Sequence, residues 1–77
     1  MKPRRQVYLV CFEQEVDGTF SAYVPVLPGC YSQGVTLEEA RANIVEAIQA
    51  YNESVKKDRL PLYDPSRAVI GNVEVEA

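Results

Sequence analysis

Residues 24–40, VPVLPGCYSQGVTLEEA, mark the change from strands to a helix in this sequence. Two prolines and a glycine fill the first half. They predict a sharp turn, because proline restricts φ and glycine accepts positive φ. In the second half, Thr36 and Glu39 form a T-x-x-E capping box, which predicts that a helix begins here. The stretch also contains Cys30. A thiol that performs chemistry would indicate an enzyme, whereas a thiol that is only packed beside the turn would indicate a binding protein.

The sequence after the capping box predicts one long amphipathic helix. Glu38 and Glu39 lie near its start, where negative charge is stabilising. Lys56 and Lys57 lie near its end, where positive charge is stabilising, and Pro61 prevents the helix from continuing. The apolar residues that recur at spacings of three and four, and so form one helix face, are Leu37, Ala40, Ile44, Ile48, Tyr51 and Val55.

The sequence before this stretch predicts a β-hairpin. Two runs rich in β-forming residues, VYLVCF and TFSAYV, flank Asp17-Gly18. Asp-Gly between two such runs is a strong hairpin signal. If Asp17 and Gly18 are the whole turn, Phe12 lies opposite Tyr23. A longer loop would shift the register and exchange the two faces.

Both faces of this hairpin carry apolar side chains, whereas a sheet with one wet face should alternate cleanly. Coverage by the C-terminal segment is one explanation. We expect instead that the helix covers one face and a second copy covers the other, in a homodimer or homotetramer, because so small a core is stabilised by association. With the two-residue turn, one face carries Val7, Leu9, Cys11, Phe20, Ala22 and Val24. The residues predicted for self-association are Tyr8, Val10, Phe12 and Tyr23.

The last residues predict a final strand. In GNVEVEA, residues 71–77, valine alternates with glutamate, as in a short strand with one solvent-facing side. The predicted element order is therefore β-β-β-α-β. We expect an α+β fold over residues 1–77, a single domain whose small, mainly antiparallel sheet packs on one long helix.

Composition excludes several functional classes. The chain has no histidine, which removes Ser-His and Cys-His nucleophile pairs and every histidine metal ligand. Its net charge of −3 has the wrong sign for a nucleic-acid-binding domain. No stretch approaches the roughly 20 apolar residues of a membrane-spanning helix. The sequence predicts no catalytic, cofactor-binding or metal-binding residues, and a cytoplasmic protein with reduced thiols.

Cys30 is the residue that most resembles a catalytic group. A reactive thiol needs a base, a cation or a helix N-terminus to lower its pKa. No histidine exists in the chain, and no lysine or arginine is near Cys30 in the sequence. A small buried thiol beside a glycine turn is the better interpretation.

Glu13, Glu15 and Asp17 raise a second chemical possibility. At a spacing of two residues they share one strand face, where carboxylates could hold Mg²⁺. A two-metal nuclease also needs carboxylates from neighbouring elements, and the second strand run, TFSAYV, offers none. A solvated strand end is therefore favoured over a degenerate nuclease site.

The ordered combination of these pieces resembles the HicB-like antitoxin family. The resemblance rests on the Asp17-Gly18 hairpin, the VP-x-LPGC turn, SQG at 32–34 and TLEEA at 36–40, and it covers residues 7 to 56. It implies a partial RNase-H-like fold and a protein inhibitor. Family antitoxins bind a small basic HicA-like toxin, which resembles a double-stranded-RNA-binding domain and cleaves mRNA, and they mask its catalytic histidine and RNA surface. In the matched loop, Tyr31, Ser32 and Gln33 are the candidate partner-binding residues.

Three features depart from the family pattern. Val26 and Val35 stand where members commonly carry aspartate, which makes the loop more apolar. Many members also append a helix-turn-helix or ribbon-helix-helix segment that binds the operator, whereas this chain ends at Ala77 after the predicted last strand. Direct DNA binding is therefore not expected. The alternatives left open are a solitary oligomeric module without a toxin and, less favoured, the metal-dependent nuclease.

Overall fold

The computed structural model describes residues 5–76. Its strands are β1 (Cys11–Gln14), β2 (Phe20–Tyr23) and β3 (Tyr31–Gly34). The helix α1 spans Leu37–Lys57, and a 3₁₀ turn spans Pro65–Arg67. The three strands form one antiparallel sheet in the order β1-β2-β3. This confirms the predicted α+β arrangement of a small sheet followed by one long helix.

A capping box forms at the start of α1, with the hydrogen bond to Glu39 shifted by one residue, from Thr36 to Val35. The Thr36 hydroxyl oxygen accepts a hydrogen bond from the Glu39 backbone N–H at 3.1 Å. The Glu39 carboxylate accepts one from the Val35 N–H, also at 3.1 Å. Two backbone donors at the helix start are thereby satisfied, and the helix begins where the sequence predicts.

Helix α1 ends at a residue with left-handed backbone conformation that is not a glycine. Arg59 has φ of 58°, and its N–H donates to the Lys56 carbonyl at 3.0 Å. The Leu60 N–H donates to the Val55 carbonyl at 2.9 Å. This pair of hydrogen bonds is a Schellman motif, in which glycine is the usual left-handed residue.

The turn before β3 is built from two successive tight turns. The Leu27 N–H donates to the Val24 carbonyl at 3.1 Å, and the Cys30 N–H donates to the Leu27 carbonyl at 3.0 Å. Gly29 has φ of 80°, as the third position of a type II turn requires. Leu27, between the two turns, is only 2% exposed. The prolines and glycine thus bring one apolar side chain into the core and direct the chain into β3.

Gly34 allows α1 to approach β3 closely. A Cβ atom at Gly34 would lie 2.8 Å from the Ala40 Cα, a separation that real Cβ atoms do not show. Ala40 itself is fully buried. The helix lies mainly over β3, less over β2, and far less over β1.

The hairpin register differs from the prediction by one residue. Phe12 pairs with Ala22, and Tyr23 pairs with Cys11. Asp17 does not start a two-residue turn, because its carboxylate accepts hydrogen bonds from the Thr19 N–H at 2.9 Å and hydroxyl at 2.6 Å. These side-chain bonds favour a longer loop over residues 15–19. The two-residue turn does not form, and the pairing of Phe12 with Tyr23 that depends on it does not form either.

The shifted register changes which residues share a face. Tyr8, Val10 and Phe12 pack against the core, on the side that α1 covers in part. Tyr23 points to the other side, since neighbouring residues of a strand alternate. The four residues predicted for self-association therefore do not lie on one face. Of the residues that the two-residue turn would place on the opposite face, Ala22 and Val24 are buried, whereas Val7 is 82% exposed. The buried core consists of Ala22, Val24, Leu27, Cys30, Ala40 and Ile44.

The predicted last strand does not form within the described chain. Residues 68–76 contain no strand, and Val73 and Val75 are 87% and 78% exposed. Alternating valines and glutamates have the pattern of a strand. A strand also needs a neighbouring strand edge to which its backbone N–H and C=O groups can hydrogen-bond.

Gly34→Ala should lower the free energy of unfolding by about 1–3 kcal/mol, because the added methyl group meets the α1 backbone. Urea denaturation measures the change. Gly71→Ala is the matched control: nothing lies within 4 Å of its added Cβ, and its effect should stay within about 0.5 kcal/mol. Equal effects of the two variants would contradict the close approach.

Arg59→Gly should raise the free energy of unfolding by about 0.5–1 kcal/mol, since it removes the cost of a left-handed non-glycine residue and that relief exceeds the added flexibility of the unfolded chain. Lys57→Gly, two residues earlier and inside α1, should lower it by about 0.5–1 kcal/mol. Thermal and urea unfolding report both values. A destabilised Arg59→Gly variant would rule out the Schellman ending.

Candidate functional site

The sheet has one face that α1 does not cover. We name it the open face. The register of the three strands places Tyr23 between Cys11 and Tyr31, and Ser21 between Glu13 and Gln33. The side chains of the open face are Cys11, Glu13, Ser21, Tyr23, Tyr31 and Gln33.

Two tyrosines form the aromatic centre of the open face. Tyr23 and Tyr31 are directly opposite each other on β2 and β3, and they are 46% and 69% exposed. Directly opposite side chains on neighbouring strands are close enough to contact. Exposed tyrosines are common anchors of protein interfaces, because a large rigid ring loses little conformational entropy on binding.

The surroundings of the Tyr23 hydroxyl raise its pKa. A hydrogen bond with Cys11 and the charge of that thiol's ionised form raise the pKa of Tyr23 above its ordinary 10.0, with smaller contributions from burial and from the Glu13 carboxylate. An ordinary tyrosine hydroxyl is already protonated at physiological pH, and this shift acts in the same direction.

Two carboxylates lie on the β1 side of the open face. Glu13 belongs to the open face, and Glu15 is held beside it because its carboxylate accepts a hydrogen bond from the Ser21 hydroxyl at 2.8 Å. None of the six residues that form the open face is cationic. Its charge therefore suits a positively charged partner.

The predicted partner-binding residues are divided between two sides of β3. Tyr31 and Gln33 are exposed on the open face, whereas Ser32 is half-buried on the helix side. The Gln33 carbonyl accepts a hydrogen bond from the Asn43 side chain at 2.7 Å, which ties β3 to α1. Sequence reasoning did not place Tyr23 beside Tyr31, because that neighbourhood depends on the register.

Val26 and Val35, the two positions where family members commonly carry aspartate, lie in different surroundings. Val26 is half-buried and packs against the core, where an aspartate would lose its hydration. Val35 is 67% exposed, directly before the capping residue Thr36. The first substitution therefore adds to packing, and the second changes only the surface.

The three carboxylates weighed as a nuclease site are not gathered into one. The hydrogen bonds from Thr19 hold the pKa of Asp17 below its ordinary 3.8, and Glu15 is paired with Ser21. Within residues 5–76, no group of three or more histidine, cysteine, aspartate or glutamate side chains is placed to hold a metal ion. The hydrogen bonds of Glu15 and Asp17 stabilise the hairpin loop.

Cys30 is part of the core. Its side chain is 5% exposed, and burial raises the pKa of its thiol above 9.0. A protonated, buried thiol is a poor nucleophile. Its position next to Leu27 and Val24 in the buried cluster agrees with the packing role that the sequence favours.

No helix between residues 5 and 76 combines the length and apolar character needed to cross a membrane.

Comparison with known proteins identifies the family. The model of the HicB-like antitoxins of bacterial toxin–antitoxin systems matches residues 8–73. A UPF0150 protein of Synechocystis sp. is 49% identical over 55 residues, which cover 71% of this chain and 70% of the relative. A UPF0150 protein of Thermoplasma acidophilum is 52% identical over 50 residues, covering 65% and 72% of the two chains.

A third relative is longer. A 14.9 kDa protein from the rep-hol intergenic region of Haemophilus phage HP1 is 39% identical over 70 residues, covering 88% of this chain and 52% of the phage protein. No solved structure matches this chain significantly, so the partial RNase-H-like likeness stays a prediction. The chain belongs to the HicB-like antitoxin family. That membership supports a role in a toxin–antitoxin system.

The two thiols should differ in reactivity. Cys11 is half-buried and Cys30 is buried, so a thiol reagent at mildly alkaline pH should modify Cys11 in the folded protein and Cys30 only after unfolding. Mass spectrometry of Cys11→Ser and Cys30→Ser proteins measures each rate. Rapid labelling of folded Cys11→Ser would contradict a core position for Cys30.

Proposed function

We propose that this protein is an antitoxin that neutralises a small basic, mRNA-cleaving HicA-like toxin by direct protein–protein binding. The observation that carries the proposal is the exposed pair of tyrosines, flanked by carboxylates, in a chain of the HicB-like antitoxin family. We propose that the open face meets the toxin.

Charge supports a basic partner. The chain has a net charge of −3, and Glu13 and Glu15 border the tyrosines. Complementary charge accelerates encounter and disfavours wrong partners, while the buried aromatic centre of an interface supplies most of the affinity. Tyr23 and Tyr31 are the proposed centre, and the two glutamates are the proposed rim.

The proposed mechanism is occlusion, with no chemistry supplied by the antitoxin. A module that covers the RNA surface and catalytic histidine of a ribonuclease needs neither a nucleophile nor a metal. Cys30 is buried with a raised pKa, and Glu15 and Asp17 are hydrogen-bonded within the hairpin. Because the substrate of the toxin is mRNA, the proposed site of action is the cytoplasm. Binding of DNA by this domain is not proposed.

Tyr31→Ala should weaken binding to the toxin by about 2 kcal/mol, or about 30-fold in Kd, since it removes a central aromatic anchor. The toxin to test is the product of a neighbouring open reading frame that encodes a small basic protein with one prominent histidine. Calorimetry on the purified pair measures Kd, and rescue of growth on co-expression measures neutralisation. Leu60→Ala, which truncates another exposed apolar side chain (58% exposed), should bind normally.

A pair of double variants tests the role of charge. Glu13→Gln with Glu15→Gln should slow association at low salt, whereas Glu46→Gln with Glu53→Gln, on exposed positions of α1, removes the same charge and should change the rate less. Failure of the two proteins to co-purify would refute the pairing. Equal slowing of association by both double variants would show that the toxin does not bind at the open face.

A further inference from the structure

The backbone of β3 alternates between groups that bond to β2 and groups that point outward. The Val24 N–H donates to the Cys30 carbonyl at 3.0 Å, and these two residues continue the register in which Tyr23 faces Tyr31. Hydrogen-bonded and non-hydrogen-bonded pairs alternate along an antiparallel ladder, so Tyr31 and Gln33 belong to non-hydrogen-bonded pairs. Their backbone N–H and C=O groups therefore point away from β2, to the outer edge of β3.

Helix α1 caps the later part of this outer edge. The Gln33 carbonyl accepts a hydrogen bond from the Asn43 side chain at 2.7 Å. The Val35 N–H, which comes next along the edge, donates to the Glu39 carboxylate at 3.1 Å. Both bonds agree with the outward direction of the odd-numbered residues, and they close the edge beyond Gln33.

The earlier part of the edge is open. Among the strands of residues 5–76, only β2 pairs with β3. The backbone groups of the open part are the Tyr31 N–H, the Tyr31 carbonyl and the Gln33 N–H. An unpaired strand edge is a template to which a strand of another chain can hydrogen-bond.

Charge favours the outer edge of β3 over the outer edge of β1 for a basic partner. A groove of about 1010 Å³ with an apolar wall lies between the β1 edge and α1, and the charged side chains among the described residues that line it are the cations Arg5, Arg41 and Lys56. The Arg41 guanidinium lies 5.3 Å from the centre of the Phe12 ring. At β3, in contrast, the charged group bonded to the edge is the Glu39 carboxylate. A basic chain is therefore repelled at β1 and attracted at β3.

The open part of the β3 edge borders the open face. Tyr31 is 69% exposed, and its side chain lies on that face beside Tyr23. A strand added at the edge would place every second side chain on the same face, and the side chain opposite Tyr31 would lie against the tyrosine ring. A lysine or arginine at that position would make a cation–π contact with the ring, which suits a basic partner.

We infer that the basic toxin binds by adding a strand to the outer edge of β3 at Tyr31 and Gln33, which extends the sheet and places the toxin over the open face. The added strand stops at Gln33, because Asn43 and Glu39 occupy the edge beyond it. This inference rests on the proposed function, since it takes the toxin as the partner. It adds the backbone hydrogen bonds that fix the register of the complex.

Amide hydrogen exchange measured by NMR, with and without the toxin, tests the added strand. In the free protein the Tyr31 and Gln33 amides should exchange faster than the Ser32 and Gly34 amides, whose N–H groups point to β2. Saturating toxin should slow exchange at Tyr31 and Gln33 by at least about tenfold. The matched control is the Phe12 amide, which points outward from β1 and should keep its rate.

Two substitutions at one position separate the backbone from the side chain. Gln33→Pro removes the outward N–H but no hydrogen bond to β2, a change that edge strands tolerate, whereas Gln33→Ala keeps the N–H. Gln33→Pro should bind the toxin about threefold to tenfold more weakly than Gln33→Ala in calorimetry. Both free proteins should keep the far-ultraviolet spectrum of the unmodified chain.

The outcomes separate this inference from the proposed function. Toxin binding that leaves the Tyr31 and Gln33 amides at their free rates overturns the added strand and leaves the proposed function intact. Equal Kd values for Gln33→Pro and Gln33→Ala do the same. If Gln33→Pro does not fold, the exchange rates of the unmodified protein decide alone. A toxin that does not bind the unmodified protein refutes both the inference and the proposed function.

Discussion

The contact between Gly34 and Ala40 is the constraint on which the other surfaces of this protein depend. With no side chain on Gly34, the first turn of α1 lies directly against the end of β3. The capping box formed by Thr36 and Glu39 fixes the start of the helix at the same place. A helix anchored at this end lies over β3 and β2 and leaves β1 with little cover.

Two unlike surfaces result from that placement. One is the open face, where Tyr23 and Tyr31 are exposed beside carboxylates. The other is the groove between β1 and α1, which is apolar inside and cationic at its border. The proposed assignment gives the open face to a basic toxin.

Most of the element order could be predicted from the residues alone. Local signals are strong where a few neighbouring side chains decide the backbone, as with Thr36 and Glu39 at the helix start or Pro28 and Gly29 in the turn. The apolar face of α1 follows from spacing, and Ala40 and Ile44 are buried as the pattern indicates. The packing role of Cys30 also follows, because the sequence offers nothing nearby that could activate a thiol.

The candidate site was less accessible to sequence reasoning, because it depends on a register. Asp17-Gly18 has the chemistry of a two-residue turn, yet the hydrogen bonds of Asp17 with Thr19 favour a loop of five residues. That difference of one residue moves Phe12 to the core side and leaves Tyr23 with Tyr31 on the open face. A similar limit applies to residues 71–76. Their alternating valines and glutamates predict a strand, but the pattern does not say which strand it would pair with.

The sequence by itself determined the order of the three strands and the helix, and the absence of histidine chemistry, since these depend on neighbouring residues and on composition. Only the tertiary structure decided which side chains share a face. That outcome depends on the length of the Asp17 loop, which sets the register of β1 against β2, and on the contact of Ala40 with Gly34, which sets the position of α1 on the sheet. The face on which a side chain lies therefore depends on how the elements pack together, and it cannot be read from any single element.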